Sequence, residues 1–150
     1  MVKPDQLDSS TSKLRFNLRV CNVSNKIWVM WKRGLPVDVI VNVDQYIHLA
    51  LMHESWNCVS YCSFIYVKCS SIERRSLWLD LVALSSNLVS KPWLIGGHFN
   101  VAASIDEYLG RAPLDLNAIS KFVDCISACG LKHIALSGSR YTWTGVHHDS

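Results

Sequence analysis

The sequence has no run of about 18 apolar residues, the minimum for a membrane-spanning helix, so no membrane partner is expected. Its opening stretch, Met1–Lys13, lacks the apolar segment of a secretory signal. The expected setting is therefore intracellular, nuclear or cytoplasmic, and reducing. Internal repeats and low-complexity tracts are missing too, which excludes solenoids and biased linkers. Charge is sparse, at 18% of 150 residues, with a net +3 when histidines are neutral. Such a mildly basic balance fits a nucleic-acid partner without demanding one.

What the chain does have is apolar material, 49% of its residues, enough for the core of one domain. It also has six cysteines, including Cys58 with Cys62 and Cys125 with Cys129. In reducing surroundings these are not expected to form disulfides. Neither pair has the spacing of a zinc knuckle, and no histidine stands at finger spacing, so buried free thiols are expected. On a strand the first pair would share a face; on a helix the second pair would.

Patterning divides the chain in two. Residues 1–25 are polar at first, then mixed, and read as a loosely ordered segment. Residues 26–150 read as one α/β domain. Runs rich in β-branched and aromatic residues predict strands over Lys26–Trp31, Val37–Val43, Gln45–Leu51 and Cys58–Cys69. Their short links suggest an antiparallel meander. Ser70 and Glu73 have capping-box spacing, and Leu77, Leu81, Leu84 and Leu88 follow at helical spacing, so a helix is predicted over 72–86. Pro92 stops it. A second helix is predicted over 116–129, with Asp115 as N-cap, Gly130 as C-cap, and Ile119, Phe122, Val123 and Ile126 facing inward. A last strand is predicted over Tyr141–Thr144. Strands, helix, strand, helix, strand suggests a sheet carrying helices on one face.

Between the helices lies KPWLIGGHFN, Lys91–Asn100. A short apolar strand reaches Gly96-Gly97, where the chain can turn sharply. His98 and Asn100 then stand at the carboxyl edge of the sheet, where α/β proteins bind ligands. On an extended backbone the two would point the same way and Phe99 would point into the core.

This segment resembles the PWLxGGDFN stretch of the endonuclease/exonuclease/phosphatase superfamily, in the form found in endonuclease domains of plant LINE-type (non-LTR) retrotransposons. NKIWVMW, DQYIHLAL, FIYVKCSSIERRSLWLDL, EYLGRAPLDL and ACGLKHIALSGSRYTWTG are similar to the same family, in the same order, over at least Lys13–Gly145. The resemblance implies a four-layer α/β/β/α sandwich, here partial and incomplete at both ends. It implies a magnesium-dependent phosphodiesterase acting on DNA. Asn100 matches the motif's Asn, which would contact the scissile phosphate. His98 takes the place of the motif's Asp, and Tyr66 lies on a strand that lines the site. The early Asn and Glu and the terminal Asp-His pair of the family have no counterpart, and His147, His148 and Asp149 do not supply it. An imidazole, mostly neutral at pH 7, lacks the charge that a hard cation draws on. The expectation is a truncated copy with impaired hydrolysis and no tightly held Mg²⁺. The alternatives are a non-catalytic nucleic-acid binder and a retrotransposon-derived product without function.

Lys68, Arg74 and Arg75 are the candidate phosphate contacts, weighed against an exposed helix face. Asp106 and Glu107 are candidate metal carboxylates, weighed against a solvated loop. Trp28, Trp31, Trp78, Trp93 and Trp143 read as core residues.

Overall fold

The computed structural model describes residues 13–109, 113–134 and 143–144. These are mixed α/β and form two compact units. One comprises residues through Lys68 with Leu88–His98; the other comprises Cys69–Asn87 and residues from Phe99 onward.

In the first unit, β1 (Leu18–Cys21) and β2 (Trp28–Trp31) form an antiparallel hairpin, with Leu18 opposite Trp31 and Cys21 opposite Trp28. β1 lies inside the segment expected to be loosely ordered. Its strand character comes from pairing with β2, which a local reading does not see. A four-stranded sheet follows, built from β3 (Val37–Asn42), β4 (Tyr46–Leu51), β5 (Ser60–Tyr66) and β6 (Trp93–His98), in that spatial order. The first two pairings are antiparallel. The expected meander of four strands is thus three strands long, because β2 pairs with β1 instead. Ile27, Ile47 and Leu49 are buried together against Val20, Val29 and Val37, packing the hairpin onto the sheet.

β5 and β6 run parallel, with Tyr66 opposite His98. Parallel neighbours need a long crossover, and residues 67–92 supply it. β6 does not end at its glycines as expected but runs through them to His98. Gly97 is opposite Ile65 with φ +141°, and a Cβ there would strike the Ile65 backbone. Cys58 precedes β5 and is exposed, so it shares no strand face with half-buried Cys62. Trp28, Trp31, Trp78 and Trp93 are half-buried rather than enclosed. The side chain of Trp143 lies outside the described residues.

One sheet face buries a polar chain. The Trp93 indole N–H donates to Ser63 Oγ (2.9 Å), and Ser63 Oγ lies 2.8 Å from His48 Nδ1. The His48 ring stacks on Tyr61 at 5.6 Å between centroids. The Ser63 hydroxyl, which has two acceptor lone pairs and one proton, accepts from Trp93 and either donates to His48 Nδ1 or accepts from it, according to the tautomer of the ring. Burial pushes the His48 pKa below its ordinary value. The unfolded chain therefore takes up this proton more readily than the folded one. The stability that His48 contributes is complete above about pH 6.5, the ordinary histidine value, and is lost as pH falls below it. The urea midpoint is expected to drop from pH 7 to pH 5. It should drop less in His48→Gln; an equal slope in both proteins would assign the effect elsewhere.

In the second unit, α1 (Ser71–Asn87) spans the predicted helix with one more residue at each end. It buries Arg74, Leu77 and Leu81, which fall on one side at helical spacing. Leu84 is half-buried. A single 3₁₀ turn (Ile105–Glu107) leads into β7 (Tyr108–Leu109), which pairs in parallel with β8 (Trp143–Thr144). Of the strand predicted over Tyr141–Thr144, the first two residues lie outside the described residues.

α2 spans Leu116–Ala128. The Asp115 carboxylate accepts from Ala118 N (3.0 Å), which is the predicted N-cap. At the other end Gly130 (φ +67°) donates to Ser127 O and Leu131 N donates to Ile126 O, a Schellman closure. Of the expected inward stripe Phe122 is buried, but Val123 is exposed and Cys125 takes the enclosed position. α1 and α2 meet through Trp78 and Phe122, with ring centroids 5.6 Å apart. Phe99 adds a third ring, 4.9 Å from Phe122.

Candidate functional site

The parallel pairing of β5 and β6 brings their carboxyl ends together, and with them two of the expected residues. Tyr66 and His98 are register partners whose rings lie 5.5 Å apart, tilted by 42°. Both are exposed, Tyr66 at 36%. The Lys26 ammonium stands 4.9 Å from the centre of the Tyr66 ring, within cation–π range. Lys26 was not among the expected site residues. Nothing in NKIWVMW marks it, because its partner ring lies forty positions away on another strand.

A buried asparagine fixes Lys26. Asn22 Oδ1 accepts from the backbone N–H groups of Lys26 (2.8 Å) and Ile27 (2.9 Å). Its Nδ2 donates to Val43 O (3.2 Å) and Asp44 O (2.7 Å). The β1–β2 loop is thereby tied to the β3–β4 turn. Gln45, on that turn, takes the Tyr66 N–H on its backbone carbonyl (2.9 Å) and the Lys68 N–H on Oε1 (3.0 Å). The Lys68 ammonium pairs with Asp44 at 3.6 Å. Its charge is thus partly compensated, and Lys26 is the cation at the rings.

Asn100 belongs to the second unit. It is not extended, as the same-side geometry required, but left-handed at φ +53°, a conformation asparagine tolerates. Arg74 Nη1 donates to its carbonyl (3.0 Å), and its own Nδ2 donates to Cys69 Sγ (3.0 Å). The side-chain amide expected to meet a phosphate is therefore engaged with a thiol. Arg74 is 7% exposed whereas Arg75 is exposed. The two adjacent arginines do not form one surface, because a helix turns 100° per residue. Arg74 is therefore not on the exposed face of α1.

Magnesium prefers carboxylate and other hard oxygen ligands. Among the described residues no three His, Cys, Asp or Glu side chains gather where one ion could touch them. At residue 98 an imidazole stands against a phenol ring. This donor set does not fit Mg²⁺. Asp106 is exposed, and Glu107 Oε2 accepts from Ala103 N (3.2 Å), holding its own loop. His147, His148 and Asp149 lie outside the described residues.

What Tyr66, His98 and Lys26 offer is an aromatic surface beside a positive charge. Two exposed rings can stack a flat heterocycle, and an ammonium can meet its phosphate. No helix among the described residues is long and apolar enough to cross a membrane. No family model matches the chain, and no curated protein or solved structure matches it either.

Proposed function

We propose that this chain is a nuclease-like domain of the endonuclease/exonuclease/phosphatase type, of retrotransposon origin, that binds DNA and hydrolyses it poorly or not at all. The parent architecture is the four-layer α/β/β/α sandwich. The packing of the β1–β2 hairpin onto the four-stranded sheet supports that reading. The single observation that carries the binding function is the Tyr66–His98 ring pair with Lys26 over it. Weak hydrolysis follows from the donor set: the motif's carboxylate is replaced by an imidazole, and the Asn100 amide is turned to Cys69.

Fluorescence anisotropy with labelled single-stranded and duplex DNA tests the proposal. Binding is expected to weaken with salt. Tyr66→Ala should weaken it roughly tenfold, the effect of losing one stacked base, and Lys26→Ala should both weaken it and flatten its salt dependence. Supercoiled plasmid with Mg²⁺ or Mn²⁺ is expected to remain intact. Nicking by the unmodified chain would overturn the loss of hydrolysis. Salt-independent binding, or binding indifferent to both substitutions, would overturn the proposed surface.

A further inference from the structure

We propose that the Tyr66–His98 surface continues along β5 and β6 into a second subsite, and that the two subsites together take single-stranded DNA by a pair of unstacked bases. This rests on the DNA-binding reading above and names the form of DNA that the surface fits.

Alternate side chains of a strand share a face, and register partners on neighbouring strands stand side by side on it. Tyr66 with His98 is one such pair, and Phe64 with Gly96 is the next pair back along the same two strands. Ile65, between the two aromatic residues, points to the opposite face and is buried. Phe64 is 36% exposed and Leu94 49%, although β5 is an interior strand between β4 and β6. Ile47, the partner of Phe64 on β4, is fully buried. The β1–β2 hairpin thus covers this face at β4, where Ile47 and Leu49 meet Ile27, and leaves it open at β5 and β6.

Gly96 shapes the open part. A Cβ added there would meet nothing within 4 Å. The floor beside Phe64 is therefore bare backbone, bounded along β6 by Leu94 and His98, each two residues away. Gly97 is required by the close approach of the Ile65 backbone, whereas no such contact requires Gly96. What Gly96 does is keep a gap in which a flat ring can lie against Phe64.

Charge and spacing select the occupant. β5 and β6 contain no acidic residue, and the Lys26 ammonium stands over the Tyr66 ring. The face therefore suits a polyanion that carries flat rings. Same-face residues on a strand are about 6.6–6.8 Å apart, roughly twice the 3.4 Å step of stacked bases in a duplex. A duplex keeps its bases stacked and turned inward. A single strand can unstack, setting one base at Tyr66 and His98 and the next at Phe64 over Gly96.

Fluorescence anisotropy of the whole chain, with labelled oligothymidine and with an equally long duplex at one salt concentration, tests this. The single strand is expected to bind roughly tenfold more tightly, the worth of one further stacked base. Gly96→Val should leave the melting temperature nearly unchanged and weaken single-strand binding roughly tenfold, by filling the gap. Phe64→Leu, which keeps apolar bulk but removes the ring, should weaken it similarly and serves as the reading if Gly96→Val does not fold. Duplex binding as tight as single-strand binding, or tighter, overturns the inference while DNA binding itself stands. A folded Gly96→Val or Phe64→Leu protein with undiminished single-strand affinity, where Tyr66→Ala weakens it, removes the second subsite and leaves the first. Indifference to Tyr66→Ala as well removes both. A dimer seen by sedimentation and abolished by Gly96→Val would assign the open face to a second copy, which also overturns the inference.

Discussion

Gly97→Ala is expected to lower folding stability by about 4 kcal/mol, while Gly96→Ala changes it by less than about 1 kcal/mol. The two glycines are neighbours on the same strand, so composition and strand propensity cannot separate them. Geometry does. Gly97 has φ +141°, where an L side chain is strained, and a Cβ there would strike the Ile65 backbone on the adjoining strand. Gly96 has an ordinary φ and open space around it. Relief at Gly97 would require β5 and β6 to separate. That would also part Tyr66 from His98, the next register pair. Urea unfolding of both variants at pH 7 reads the difference. Similar midpoints for the two would show that the close approach of β6 to β5 does not hold in solution.

Asn22→Ala is expected to cost about 3 kcal/mol, although asparagine in a loop is ordinarily a minor contributor. Asn22 is 2% exposed, and its amide satisfies two backbone N–H groups and two backbone carbonyls. Alanine would leave the Lys26 and Ile27 N–H groups and the Val43 carbonyl without this partner, while Asp44 O keeps the Ser24 hydroxyl (2.7 Å). Asn22→Asp tests the donor half alone. It keeps both acceptor contacts but turns a carboxylate oxygen toward the Val43 and Asp44 carbonyls, which repel it. Thermal unfolding measures both losses. DNA affinity should fall with Asn22→Ala even below the transition, because the Lys26 backbone loses its anchor. If Asn22→Asp is as stable as the unmodified chain, the hydrogen-bond pattern at this loop is wrong.

The elements legible in the sequence were those whose stability is local. α2 has a side-chain cap at Asp115 and a glycine closure at Gly130, and both ends fall where these signals place them. α1 has its leucines at helical spacing, and Leu77 and Leu81 are its buried residues. β1 is not legible, because Leu18–Cys21 becomes a strand only against Trp28–Trp31. The placement of β2 is not legible for the same reason, since strand patterning does not name a partner. At the site, the pairing of Tyr66 with His98 could be anticipated from a resemblance but not from spacing, because thirty-one residues separate them. The burial of Arg74 is not legible in the sequence, because an arginine beside another arginine suggests a solvated face and burial of a charge has no periodic signature.

The six cysteine sulfurs are sorted by depth. Cys58 and Cys69 are exposed, whereas Cys125 is buried and its thiol is pushed up to about 12, by burial first and then by its neighbour Cys129. A thiol with that pKa is almost wholly protonated at neutral pH, and the thiolate is the form that oxidants and electrophiles attack. Oxidative damage therefore begins at the periphery of this chain, where Cys58 and Cys69 can couple two copies. The sulfur packed between α1 and α2 is spared until the helices part.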